Sequence, residues 1–371
     1  MIAARLEPLR TLHLWVPGYA ANRVRQLATP GTPAVSRVWV TIADHFEPWW
    51  HGAGERLALE RVHRWAAGWP RIARRHADSA GRPPCYTFFY PEEQYHPGAI
   101  DALARMVRRG IADVEVHLHH HADTPGSFVG RVGAFIERLH TRHALLRRDD
   151  RGIRFGFIHG NWALDNSLPE GRYCGLDNEI TLLHRLGCYA DFTLPAAPSA
   201  AQARIVNTIY WAQDDPERPR SHDTGVAATA NGPVAGHLLM IPGPLTLNLR
   251  EWRRPLVPRL EVGELAGHCL PTRHRIRLWT RAAPRIGQDL FIKLFAHGAP
   301  EKNAAPLLAD DGVLERTLQY LAEDCRRSGS QLFFVSAWHM FTAIDAIRRG
   351  VDPVRTVDGA RDGTLHVGAA S

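Results

Sequence analysis

"ADVEVHLHHH", residues 112–121, decides how this chain is read. Alternate side chains of a β-strand share a face. Glu115, His117, His119 and His121 therefore point one way, and Val116, Leu118 and His120 the other. The apolar residues suit a layer of helices, and the polar series suits the open mouth of a barrel. Histidines two positions apart lie roughly 6–7 Å from each other at Cα. Two such imidazoles can reach one cation at about 2 Å. A buried row of unpaired imidazoles is costly in a purely structural strand. The competing reading is a polar strand end whose groups satisfy one another.

Outward from this stretch, short β-rich runs alternate with amphipathic ones. Strands are expected at 37–44, 85–91, 112–121, 153–160, 189–195, 236–243, 290–298 and 330–337. Helices are expected at 54–78 with a break or kink near Pro70, and at 97–110, 127–148, 176–187 and 311–328, with a last one after 337. Such alternation implies a parallel sheet with helical crossovers. The expected fold is an α/β (β/α) barrel, distorted or incomplete, seven- to eight-stranded and TIM-like; an open doubly wound sheet is the alternative. Residues 1–36 read as an N-terminal extension and 37–350 as the barrel. An irregular excursion falls at about 198–235, and 351–371 reads as a loose tail. Metal-capable residues recur at strand ends: Asp44, His117 to His121, His159, Asp191 and His297. Strand C-termini are where parallel barrels carry function.

Composition excludes several classes. The 371 residues carry a formal charge of +7, but the arginines are scattered and no basic stripe is interleaved with aromatics. Nucleic acid is therefore not an expected partner. The five cysteines (Cys85, Cys174, Cys188, Cys269, Cys325) form no CxxC pair, which reads as reduced thiols in the cytoplasm. No run of 18 apolar residues spans a membrane. Signatures of serine hydrolases, P-loop NTPases and dinucleotide-binding proteins are missing from the sequence. The oligomeric state is not legible.

"VTIADHFEPWW" (40–50) ends a strand at Asp44 and adds His45 and Glu47. A carboxylate beside two histidines makes a mixed N/O set suited to Zn²⁺ or another borderline divalent ion. Asp44 could equally cap the following turn. Trp49 and Trp50 are either core residues or a platform for a sugar ring. "FIHGNWALDNS" (157–167) places His159, Asn161 and Trp162 after a strand, where they suit substrate positioning or turn chemistry. Lys293, Phe295 and His297 share a face of another strand, and His297 could be a general acid.

In their order, these segments resemble the glycoside hydrolase/deacetylase barrel superfamily, and more narrowly polysaccharide deacetylase-like proteins. "VTIAD" is similar to the family's T-F-D-D strand at Thr41 and Asp44, "EVHLH" (115–119) to its E-I-G-L-H strand, and "LFAH" to its late leucine–histidine motif at Leu294 and His297. The chain departs from the pattern where Ala43 replaces the first aspartate, and no third, arginine-containing motif is evident. The resemblance implies a metal-dependent hydrolase that removes acetyl groups from N- or O-acetylated sugars. Asp44, His119 and His121 would hold zinc, with His117 or Asp123 close to the sphere. The second histidine of the family's pair is then either His121 or replaced by Asp123. Asp44 is ligand or base; if it is the ligand, Glu47 or His45 is the nearest base. His297 would protonate the leaving atom, and His45, Trp49, Trp50, His159, Asn161, Trp162 and Asp191 would line the substrate site. Two alternatives remain at this point: a metal-independent glycoside hydrolase using carboxylates such as Asp44 or Glu47 with Asp191, and a glycan-binding pseudoenzyme.

Overall fold

A computed structural model describes residues 11–28, 34–254 and 257–361. Residues 1–10 of the N-terminal extension and 362–371 of the tail lie outside the described residues. In chain order the elements begin with α1 (Leu12–Ala28), β1 (Arg37–His45), α2 (Glu55–Ala73), β2 (Tyr86–Pro91), α3 (Pro97–Val107), β3 (Ala112–Leu118) and α4 (Pro125–His143). Next come β4 (Arg147–Asp149), β5 (Gly152–His159), α5 (Glu179–Arg185), β6 (Cys188–Asp191), β7 (Tyr210–Ala212), β8 (Gly225–Ala227), β9 (Leu238–Met240), β10 (Thr246–Arg254), β11 (Val257–Glu261) and β12 (Glu264–Leu265). The last group is α6 (Arg273–Ala282), β13 (Arg285–Ile286), β14 (Asp289–Ala296), α7 (Glu301–Leu308), α8 (Val313–Ser328), β15 (Gln331–Phe334), α9 (Ala337–Arg348) and α10 (Pro353–Arg361).

Local chemistry sets several boundaries. Thr124 and Ser127 form a capping box at the start of α4, with Pro125 following the cap. Gly329 ends α8 at φ 72°, a left-handed conformation that costs glycine little. Several expectations shift. β3 stops at Leu118 rather than 121, because the chain turns there, with Ala122 at φ 50°. The irregular excursion does contain short strands, β7 and β8, which join the main sheet. The stretch read as a loose tail is helical over Pro353–Arg361, with Val357 buried and Arg361 donating to the Phe334 carbonyl at 2.6 Å.

The protein is mixed α/β around one large, mostly parallel sheet. The hydrogen-bonded order is β12-β14-β1-β2-β3-β5-β6-β9-β7-β8, with β15 beside the first half of β1. Among the described residues this order is an open path and not a ring, so the barrel is not closed by strand pairing. The sheet nevertheless curls. Five ladder steps separate β14 from β6, which laid flat would be roughly 24 Å. Yet Lys293 of β14 donates to the carbonyl of Leu194, just past β6, at 3.0 Å.

The curl creates an inside. Trp39, Ala43, Phe89, Ile158, Phe192, Ile241, Phe291 and Phe333 point into one buried cluster. Helix α9 covers its lower end, setting Trp338 and Phe341 against Tyr189 at ring separations of 5.0 and 4.8 Å. The alternate residues Val40, Ile42, Val114, Val116 and Leu118 face the helices, packing with Trp65 and Trp69 of α2 and Phe128 of α4. Asp113 and Glu115 point inward and share Arg147. Strand parity thus runs one polar line up the inside of β3, from an ion-pair network to the histidines.

Close backbone approach at the seam depends on Gly243. A Cβ there would lie 2.6 Å from the Lys293 carbonyl oxygen. Gly243→Ala is therefore expected to lower unfolding free energy by about 1–3 kcal/mol through overpacking. Urea denaturation checks this, and a midpoint equal to wild type would exclude the tight seam.

Candidate functional site

The residues that follow β1, β2, β3 and β14 converge at the C-terminal mouth of the curled sheet. His117, at the inward end of β3, donates its Nδ1 proton to the Ile158 carbonyl at 2.8 Å. A carbonyl can only accept, so Nδ1 carries the proton in this bond. His117 Nε2 lies 3.4 Å from Glu47 Oε1. His119, two residues on, places Nε2 2.9 Å from the same Glu47 oxygen and Nδ1 2.6 Å from Glu93 Oε1. Glu47, His117 and His119 thus bring three potential metal ligands within 4.8 Å of one another. Glu47 is buried, and its Oε2 has no hydrogen-bond partner among the described residues.

Charge is concentrated on this trio. Burial raises the Glu47 carboxyl, but the bonds to His117 and His119 outweigh it and hold the group at about 2. Burial likewise lowers His119, and the bonds to Glu47 and Glu93 overcome it, raising the group to about 9. His45 lies beside them, 5.1 Å from His117 and stacked on His297 at 4.7 Å between ring centroids. Burial, reinforced by the neighbouring imidazoles, drives His45 well below its ordinary value. Its Nε2 is buried without a partner among the described residues. Trp50 and Trp162 stand 6.1 and 6.2 Å from His297. A cavity of about 520 Å³ runs from Trp162, Phe295 and His297 between α1 and the β10–β11 hairpin, and much of its lining is apolar.

The other expected site residues lie elsewhere. Asp44 is fully buried but belongs to the outward parity of β1. Its carboxylate accepts from the Gly298 amide at 2.7 Å and the Tyr86 hydroxyl at 3.0 Å, between sheet and helix α2. The inward position next to it is Ala43, so a carboxylate at 43 would face the histidines and one at 44 does not. His121 is exposed past the strand end and accepts from the Tyr173 amide at 3.1 Å. Asp123 approaches His120 Nδ1 at 3.4 Å and not the trio. Trp49 tilts over His96 at 5.6 Å. Asn161 is exposed at φ 55°. Asp191 is buried and pinned by Thr193 through bonds of 2.9 and 2.7 Å. His159 is buried beside His120, at 4.5 Å between rings.

Glu93 was not singled out from the sequence. It stands in "PEEQYH" just past the end of β2, where the strand-end rule applied elsewhere would have found it. Glu47 was read as a base, because nothing in its loop indicated that it folds back under both imidazoles.

No protein-family model matches the chain, and no curated protein matches it in sequence. Among solved structures, the 4-alpha-glucanotransferase from Thermococcus litoralis is similar at a TM-score of 0.43 and 10% sequence identity, over 82% of this chain and 38% of that one. The chain spans well under half the length of that neighbour, and a likeness this distant carries no functional argument. Among the described residues no helix is long and apolar enough to cross a membrane.

Burial, acting against the bonds from Gly298 and Tyr86, raises Asp44 from 3.8 to about 7. The fold then holds that proton more tightly than the unfolded chain. This contribution to stability is fully present below about pH 4 and is lost as pH rises through about 7. Asp44→Asn, uncharged throughout, should flatten the decline. Urea midpoints of both proteins at about pH 5 and pH 8 check it. A wild-type midpoint that falls no more than the variant's would show that Asp44 does not titrate this way.

Proposed function

We propose that this protein is a metal-dependent hydrolase of the deacetylase type, acting on an acylated carbohydrate. One observation carries the reading. His117 and His119 each engage Nδ1 with an acceptor and turn Nε2 toward the same oxygen of Glu47. Ligating histidines are oriented in this way, by a carbonyl or carboxylate on the far ring nitrogen. Two histidines and a glutamate also form a donor set typical of catalytic zinc, which leaves a position open for water. Zinc bound there would supply Lewis acidity to an acyl carbonyl and lower the pKa of a water.

The protein's own groups account for the rest. Glu93 holds the His119 ring, and the Ile158 carbonyl holds the His117 ring. His45, neutral and with an unpartnered Nε2, takes a proton from the attacking water. The resulting imidazolium returns that proton to the leaving nitrogen or oxygen, and His297, stacked on it and bordering the cavity, holds the His45 ring in place. Trp50 and Trp162 hold the sugar ring on either side of His297. Asp44 has no part in this scheme, and the lost aspartate at 43 is compensated by the inward fold of Glu47.

His119→Ala is expected to remove the metal held by the trio and abolish acetate release from N- and O-acetylated oligosaccharides. Elemental analysis and an acetate assay, with chelation and zinc re-addition on wild type, provide the test. Wild-type protein free of zinc-dependent acetate release would refute the deacetylase reading. Glu93→Gln should leave the fold intact and weaken metal affinity about 10–100-fold. Competition with a metal-binding dye measures that, and unchanged affinity would remove Glu93 from the site.

A further inference from the structure

A second group of metal-capable residues lies behind the first, on the opposite face of the same strand end. His120 packs on Phe128 of α4 at 5.3 Å between rings, in the layer between sheet and helices. There it meets His159 from the end of β5, Glu179 at the start of α5, and Cys174 from the loop between them. One ligand atom from each lies within 4.8 Å of all the others, and all four residues are buried. Glu179 Oε1 is 3.3 Å from His120 Nε2 and 3.5 Å from His159 Nε2, while Cys174 Sγ is 3.3 Å from Glu179 Oε2. Four ligands at zinc bond lengths sit roughly 3.3–3.8 Å from one another in a tetrahedron. The two Glu179–histidine spacings fall in that range, and the ligand atoms all lie within 4.8 Å of one another.

The hydrogen bonding of the group leaves a buried ring nitrogen over. His159 donates Nδ1–H to the Gly160 carbonyl at 2.5 Å, which leaves Nε2 a bare lone pair directed at a carboxylate. That Nε2 has no hydrogen-bond partner among the described residues. It lies 3.5 Å from Glu179 Oε1, which His120 Nε2 already approaches at 3.3 Å, in an interior where an unpaired polar atom is unfavourable. Outside the four, Asp123 Oδ2 lies 3.4 Å from His120 Nδ1.

The loop that brings Cys174 in is held from both ends. Asp123 N donates to the Cys174 carbonyl at 3.0 Å, and Tyr173 N donates to His121 Nδ1 at 3.1 Å. Gly175, at φ 107°, lets the chain pass so close that a Cβ there would lie 2.6 Å from Asp123 N. Between β5 and α5 the backbone is short turns, with Asn161, Trp162, Asp165, Asn166, Glu170 and Tyr173 all at positive φ. Such a segment has few ladder bonds of its own and needs cross-links to keep one shape.

We infer that His120, His159, Cys174 and Glu179 form a closed structural site for a zinc-type divalent cation, which staples the 160–178 loop to the ends of β3 and β5 and so fixes Trp162 beside His297. This site has no open position for water, unlike the trio of Glu47, His117 and His119. It contains a thiolate where the trio has none, so the two are separable by spectroscopy.

The test is Co²⁺ substitution of the full-length protein after chelation. Wild type should show a thiolate-to-cobalt charge-transfer band in the near ultraviolet. The band should persist in His117→Ala, which disables only the trio, and vanish in Cys174→Ser. Metal content should fall from about two equivalents per chain to about one in either variant if both sites fill. Cobalt binding without the band, or a band that survives Cys174→Ser, would overturn the inference while leaving the catalytic proposal untouched. Should Cys174→Ser fold poorly, wild type alone decides through alkylation read by mass spectrometry. Chelation should speed alkylation of Cys174 at least tenfold, and an unchanged rate rules the site out.

Discussion

A parallel sheet that curls on itself must bury both faces, and every polar side chain on its inner face must then find a partner away from water. The rest of this structure follows from that constraint. At the lower end Arg147 answers Asp113 and Glu115. Midway, Lys293 reaches across the seam to the Leu194 carbonyl. Burial lowers that amine to about 7, with Asp191 opposing the shift. At the top the partners become imidazoles and carboxylates, and the balancing charge becomes one that a cation can supply.

Two neighbouring histidines just past one strand separate two kinds of chemistry. His119 turns to the mouth, beside Glu47 and His117. His120 turns to the helical layer, beside His159, Cys174 and Glu179. The two groups are linked through the loop after β5, because His159 opens it and Trp162, only three residues later, borders the cavity. Order in the outer group thus bears directly on the geometry of the inner one.

Strand alternation explains which site residues could be read in advance. His117 and His119 were legible because they lie within reach of a regular strand. His121 was assigned to the same face, but β3 ends at Leu118 and the alternation ends with it. Asp44 was chosen for its strand-end position, although parity sends it outward to Gly298 and Tyr86. Glu179 and Cys174 gave no local sign, since their meeting with His120 and His159 depends on a loop of irregular turns. Glu47 and Glu93 share one property: each stands past the end of its own strand and meets a histidine of another.

Sequence alone determined the strand–helix alternation, the mostly parallel sheet and the concentration of histidines at the end of one strand. Periodicity encodes these, because each depends on neighbours a few residues apart. Only the tertiary structure decided that the sheet curls, with an open strand order among the described residues, and which carboxylate meets which imidazole. Those outcomes depend on contacts between residues far apart in the chain, such as Lys293 with Leu194 and Glu47 with His119. No local pattern records them, because the loops that bring such residues together follow no period.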